Sequence, residues 1–201
     1  MNREEEKEEK EEKEGKKEEE ANNFIKKLFI EEPSMKNKKI AAKKEKKMRV
    51  ETKTWGLNEH DLIYEKQLSI LRKIQDATCE TDSYTSKIIS HIKSKIGSYK
   101  QQDITKHKLD GDLFVSFQEV IRLLVISEMK CCYCSDNVYV LYEKVREAKQ
   151  WTLDRIDNDL GHNVGNLVIA CLECNLKRRR TNKDAFMFTK NMVIVKSESS
   201  C

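Results

Sequence analysis

Apolar positions recur at helical spacing in three stretches of this chain. Ile63, Ile70, Leu71 and Ile74 fall on one face, and Ile89, Ile92 and Ile96 on another. Phe117, Val120, Ile121, Leu124 and Val125 follow at i, i+3, i+4, i+7 and i+8, the stripe that a core-facing helix buries. This third stretch has the clearest start. Ser116-Phe117-Gln118-Glu119 reads as a capping box, in which Ser116 accepts from the Glu119 amide and Glu119 reaches back. Beyond it the pattern predicts short strands around 137–142, 151–156 and 166–170, with Gly161 and Gly165 punctuating a polar loop between the last two. A basic helix is expected from about residue 172 to 180.

The N-terminal fifty residues carry no such pattern. Residues 1–20 hold eleven Glu against six Lys or Arg, a solvated run with no apolar face to bury. A short apolar patch (Phe24, Ile25, Leu28, Phe29, Ile30) precedes Pro33, and a lysine-rich segment from Lys36 to Lys47 reads as a basic linker. The whole chain has a net charge of +4 and its first twenty residues one of −5, so the remainder carries +9. A basic body behind an acidic head favours a polyanionic partner through electrostatics and counterion release.

No stretch approaches the roughly 20 consecutive apolar residues of a spanning helix, and the chain opens on charge instead of an apolar signal region. The expectation is a soluble, intracellular protein, cytoplasmic or nuclear. In a reducing compartment seven cysteines do not suggest a disulfide framework, which turns attention to their spacing. Cys131-Cys132-Tyr133-Cys134 and Cys171-Leu172-Glu173-Cys174 are two C-x-x-C pairs with 36 residues between them. Four thiolates so arranged suit the tetrahedral coordination of a structural Zn²⁺ at Cys131, Cys134, Cys171 and Cys174. Cys132 sits beside a ligand, while Cys79 and Cys201 have no partner at suitable spacing; all three read as ordinary thiols.

Between the two pairs runs Trp151-Thr152-Leu153-Asp154-Arg155-Ile156-Asp157-Asn158-Asp159-Leu160-Gly161-His162-Asn163-Val164-Gly165-Asn166, leading through Leu167–Ala170 into Cys171-Leu172-Glu173-Cys174-Asn175. An acidic residue ending one strand, an Asn before the next, and Cys-x-x-Cys-Asn opening a helix resemble the HNH (ββα-metal) endonucleases, particularly the zinc-bearing branch that includes phage recombination endonucleases. The resemblance covers roughly 75 of the 201 residues, from the Ser116 helix through Lys190. It implies an α+β protein with a helical N-terminal region and a zinc-stapled ββα-metal domain. The expected divisions are a charged tail and linker (1–50), a helical region of unknown role (51–112), the HNH-like domain (113–190) and a C-terminal tail (191–201).

The resemblance further implies metal-dependent hydrolysis of phosphodiester bonds in DNA, with RNA as the lesser alternative. Mg²⁺ or another divalent ion would be held by Asp154 and Asn175, while Asn166 ties the loop. A hard cation wants oxygen donors yet must keep open positions for phosphate and water, so one carboxylate and one amide oxygen suit it. Bound there, it would neutralise charge on the phosphate while a nearby base activates water.

One departure matters: the residue after the acidic one, commonly a His and the general base, is Arg155. A guanidinium with a pKa above about 12 accepts no proton at neutral pH, so Arg155 is expected to clamp a phosphate oxygen instead. Of the four histidines (His60, His91, His107 and His162) only His162 lies inside the motif, and imidazole titrates near pH 6.5. His162, or failing it Asp157, is the base this reading assigns; a solvent-facing His162 is the alternative. His91, between isoleucines, reads as a surface histidine. Lys177, Arg178, Arg179, Arg180 and Lys183 are expected to contact the nucleic-acid backbone. Should neither base face the site, two readings remain, a slow nuclease whose metal-bound water is deprotonated by solvent or a zinc module that binds nucleic acid without cutting it; an accessory or packaging protein positioned by that module is a third.

Overall fold

The computed structural model describes residues 47–78 and 82–192. The expectations for the Glu/Lys run, most of the basic linker, Cys79 and the C-terminal tail with Cys201 fall outside the described residues. Of the described residues, those from 47 to 187 belong to one compact unit and 188–192 to another.

A helix forms at each apolar stripe, but the buried faces differ from those read: Ile63 is exposed and precedes its helix, and the second helix buries Ile88 and Ile92 while Ile89 and Ile96 are half-buried. Helix α1 (Val50–Trp55) stops at Gly56, whose φ of +59° is the left-handed conformation that glycine adopts without a Cβ clash. A 3₁₀ turn (Glu59–Leu62) leads into α2 (Tyr64–Gln75), which buries Leu68 and Leu71. Helix α3 (Ser83–Thr105) is capped by Asp82, whose carboxylate accepts from the Thr85 amide at 2.6 Å, and it buries Ile88 and Ile92. Helix α4 (Phe117–Ile126) starts at Ser116, whose hydroxyl accepts from the Glu119 amide at 3.2 Å. The reciprocal half of that box does not form. The Glu119 carboxylate instead takes the Arg122 guanidinium at 2.7 and 2.5 Å, a charge-assisted pair that outcompetes a neutral amide.

The sheet has two antiparallel strands, β1 (Trp151–Arg155) and β2 (Leu167–Cys171), in a register running from Trp151 opposite Cys171 to Arg155 opposite Leu167. Helix α5 (Leu172–Arg178) follows β2 directly, and α6 (Lys183–Asn191) comes last. The strand expected at 137–142 makes only isolated bridges, Lys130 with Asn137 and Tyr139 with Gln150. Its peptide groups are taken instead by Gln67 of α2. Oε1 accepts from the Val140 and Leu141 amides at 2.8 and 2.9 Å, while Nε2 donates to the Leu141 and Leu62 carbonyls at 3.2 and 3.1 Å. Gln67 is fully buried, so Gln67→Leu strands two amides and two carbonyls at once. With each unmet buried group costing about 1–3 kcal/mol, the variant is expected to lose upwards of about 3 kcal/mol in a urea titration.

The division expected at residue 112 is not a packing boundary. Leu68, Ile88, Ile92, Leu124, Trp151 and Ile169 belong to one apolar cluster, so helices and sheet share a core. Helix α3 also closes the outer edge of β1: the Tyr99 hydroxyl accepts from the Leu153 amide at 3.1 Å, and Lys95 donates to the Trp151 carbonyl. His91, read as a surface histidine, is half-buried. Its ring packs edge-on between Trp55 and Tyr142, with centroids 6.0 and 5.5 Å away, because it lies on the α3 face that carries Lys95 one turn on. Among the described residues no helix is long and apolar enough to cross a membrane.

Candidate metal centre and the cleft beside it

The two C-x-x-C pairs meet. The Sγ atoms of Cys131, Cys134, Cys171 and Cys174 all lie within 4.8 Å of one another, with Cys134 and Cys171 3.9 Å apart. A metal held tetrahedrally at about 2.3 Å by four thiolates requires sulfur–sulfur distances of about 3.8 Å, so the cluster has the size of such a site. Backbone amides already point at the sulfurs: Tyr133 N–H at Cys131 and Cys174 N–H at Cys171, at 3.4 and 3.3 Å. The thiols cannot all ionise by themselves. A hydrogen bond from Cys171 draws Cys131 down, and the same bond pushes Cys171 up. Four thiolates coexist here only around a cation, and a structural metal such as zinc fits the donors.

Beside the cluster, β1 and α5 face each other. Thr152 and Asp154 alternate onto one face of β1, and Asn175 and Arg178, three residues apart on α5, reach them. Asn175 Nδ2 donates to Thr152 Oγ1 at 3.1 Å, which in turn donates to the Ala170 carbonyl. Arg178 Nη1 donates to Asp154 Oδ1 at 2.8 Å, and the Tyr133 hydroxyl to Asp154 Oδ2 at 2.7 Å. Arg178 also binds the Arg155 and Ile156 carbonyls at 2.6 and 2.9 Å. It is 0% exposed, which corrects its placement among the nucleic-acid contacts: its charge is spent on the end of β1.

The loop between the strands is fastened from inside. Asn166 Oδ1 accepts from the Asp157 amide at 2.8 Å, and its Nδ2 donates to the carbonyls of Asp157 and Gly161, each at 3.0 Å. Gly161 has to be glycine because a Cβ would lie 2.3 Å from the Lys108 carbonyl oxygen. Arg155 Nη1 donates to the Leu160 carbonyl at 3.0 Å.

His162 faces neither solvent nor Asp154. Its ring stacks on Tyr99, centroids 4.5 Å apart, and Nδ1 lies 2.9 and 3.0 Å from the two carboxylate oxygens of Asp103, a fully buried residue of α3. The base role read for His162 is therefore not one this position favours, for the imidazole is enclosed against α3. Burial lowers its proton affinity more than Asp103 raises it. Below about pH 6.5 the unfolded chain takes up a proton that the folded chain resists, so stability declines as the pH falls through that range. With metal kept saturating, the denaturation midpoint is expected to drop between about pH 7 and pH 5.5. The drop should be smaller in His162→Gln.

The second base candidate is open to solvent. Asp157 is exposed and lines a cleft of about 420 Å³ with Asp159, Asn182 and Arg180. Arg180 lies 3.6 Å from Asp159, and Lys108 closes on the same carboxylate at the same distance. Lys177 and Arg179 are exposed and Lys183 half-buried, with Lys177 paired to Glu173 at 2.7 Å. Four residues of the region were not singled out by their sequence positions: Tyr133, Thr152, Tyr99 and Asp103. Tyr133 lay in view inside the first cysteine pair, but nothing near Asp103 signals that it meets a residue 59 positions away. Compared with known proteins, the chain matches no family model, no curated protein and no solved structure.

Proposed function

We propose that the chain is a zinc-stapled, metal-dependent endonuclease of the HNH type that hydrolyses phosphodiester bonds of DNA. The observation that carries this reading is that Asp154 on β1 and Asn175 on α5 sit at one β1–α5 interface, Asn175 bonded to Thr152 and Asp154 to Arg178, beside the four-cysteine cluster that ties Cys171 and Cys174 to the 131–134 turn. Zinc is the metal whose d¹⁰ indifference to geometry and affinity for thiolate suit four sulfurs, and a site closed by four cysteines holds structure only.

The donor set for a second, hard cation fits as well. The Asp154 carboxylate offers about four acceptor positions and spends two, on Arg178 and Tyr133. Asn175 spends its amide nitrogen on Thr152, which leaves the oxygen for a cation. When bound, such an ion supplies Lewis-acid neutralisation of charge on the scissile phosphate.

The chain's own residues do the rest. Tyr133 and Arg178 fix the Asp154 carboxylate, so it needs no reordering to act. In this reading Asp157, an exposed carboxylate of the neighbouring cleft, takes the proton from the attacking water. Arg180, 85% exposed and on the same cleft, together with Lys177 and Arg179, supplies cationic contacts to the phosphate backbone. Asn166 keeps the Asp157 backbone in place.

One observation favours a second reading. Asp154 is already neutralised by Arg178 in a dry setting, as befits a zinc module that binds nucleic acid without cutting it. Incubation with plasmid and branched DNA, in Mg²⁺ and in EDTA, separates the two. Nicking that needs Mg²⁺ and falls about 100-fold or more in Asp154→Asn and Asn175→Ala supports the nuclease. Gel retardation without cutting in any condition supports the binding module.

A further inference from the structure

One side of α3 packs on the core, and the other faces solvent with no negative charge. Lys93 and Lys100 are exposed on that outer side. Asp103, the one carboxylate between Ser83 and Thr105, is fully buried against His162. Elsewhere surface lysines have found carboxylates, Lys66 in Asp61, Lys130 in Glu128 and Lys177 in Glu173. Lys93 and Lys100 enter no ion pair among the described residues. Unmatched like charges along one helix face favour a polyanion, whose binding releases condensed counterions.

Seven residues make about two turns, so Lys93 and Lys100 share a side and stand about 10.5 Å apart along the axis. That is about three base-pair steps of a duplex, which carries one phosphate per roughly 3.4 Å on each strand. Lys93 Nζ lies 5.4 Å from the centre of the Phe117 ring, a contact that orders the ammonium without cancelling its charge. Exposed Ser90 and Gln101 add uncharged donors on the same side. At its C-terminal end α3 leads to the cleft of Asp157. Lys108 donates to the Asn158 carbonyl at 2.5 Å and lies 3.6 Å from Asp159, the carboxylate that Arg180 also approaches. Helix face and cleft are thus joined through one short segment, residues 106–108.

We propose that the outer face of α3 lies along the backbone of duplex DNA flanking the cut, with Lys93 and Lys100 each neutralising a phosphate. The choice of DNA rests on the nuclease reading above. The surface itself is a binding element and takes no part in the hydrolysis.

The test measures anisotropy of a labelled duplex of about 30 base pairs, longer than the helix, against the zinc-loaded full-length protein without Mg²⁺, over a range of salt. Lys93→Gln and Lys100→Gln are each expected to lower the slope of log affinity against log salt by about 0.9 and to weaken binding about fivefold. Lys73→Gln, at an exposed lysine of α2, should change neither. Acetylation of Lys93 and Lys100, followed by mass spectrometry, should slow on saturation with duplex while that of Lys73 does not. Where Mg²⁺ supports cutting, both variants should keep the wild-type rate at saturating DNA. An unchanged slope, or no retardation of DNA by the wild-type protein, would overturn the proposal, and so would protection of the two lysines as strong with poly-glutamate as with duplex. Binding that follows these expectations without cutting would remove the nuclease reading and leave this surface standing; cutting indifferent to both lysines at every salt and DNA concentration would do the reverse.

Discussion

Stripping the metal from the four-cysteine cluster, or replacing Cys134 with Ser, is expected to unfold residues 129–180 while leaving much of α2 and α3 helical. The reason lies in how little regular structure this region has: two strands of five residues and a helix of seven. A two-stranded hairpin is marginal by itself. Between Met129 and Gln150 the backbone forms only turns and isolated bridges, with Gln67 bracing residues 140 and 141. Apparent zinc-binding energies of about 10–16 kcal/mol in small thiolate sites exceed the whole stability of most domains, so here binding energy is folding energy. Cys134→Ser leaves three thiolates and a weak hydroxyl donor. The near-ultraviolet circular dichroism of buried Trp151 should collapse in the variant and in chelator, and return when zinc is restored. A melting curve unmoved by metal removal contradicts the staple.

The second large effect is expected at the buried pair of Asp154 and Arg178. Asp154→Ala leaves a fully buried guanidinium without its carboxylate, and breaking such a pair costs about 3–5 kcal/mol. Arg178→Met carries a comparable penalty, because Asp154 keeps only Tyr133 and the Arg155 and Ile156 carbonyls lose their donor. Asp154→Asn combined with Arg178→Met should be less destabilised than the two single changes together predict, by about 1–3 kcal/mol. Urea denaturation of the four proteins completes the cycle. Additivity would mean that the two residues do not meet. The same numbers protect the cutting assay from misreading, since unfolding alone would inactivate Asp154→Ala, whereas Asp154→Asn keeps an acceptor for Arg178 and Asn175→Ala touches only Thr152.

What the sequence reveals follows the range of the interactions involved. The Ser116 cap, the helices that bury Leu71, Ile92 and Leu124, and the hairpin leading into Cys171 were all legible, because each depends on spacing within a few residues. The convergence of the two cysteine pairs was legible too, since two C-x-x-C pairs at this spacing are the pattern of a four-thiolate metal site. Hidden from local pattern were the contacts that set the environment of the motif. Gln67 replaces a strand partner for residues more than 70 positions away, which is why 137–142 is extended without being a ladder. Asp103 and Tyr99 draw His162 inward, a choice made by α3 and not by the loop. Arg178 looked like one cation of a basic cluster, and only its position on α5, facing β1, turns it toward Asp154. The helical region before residue 112 thus acquires a role: it encloses the histidine and seals the edge of β1.

The central claim is that Asp154 and Asn175 share one hard cation. Crystals of the zinc-loaded protein soaked in Mn²⁺ test this most directly, by anomalous diffraction collected on both sides of the manganese edge. A manganese peak within coordination distance, about 2.2 Å, of both an Asp154 carboxylate oxygen and Asn175 Oδ1, separate from the zinc, is the predicted result. A zinc peak alone, with Arg178 still closing on Asp154 at saturating Mn²⁺, would contradict it.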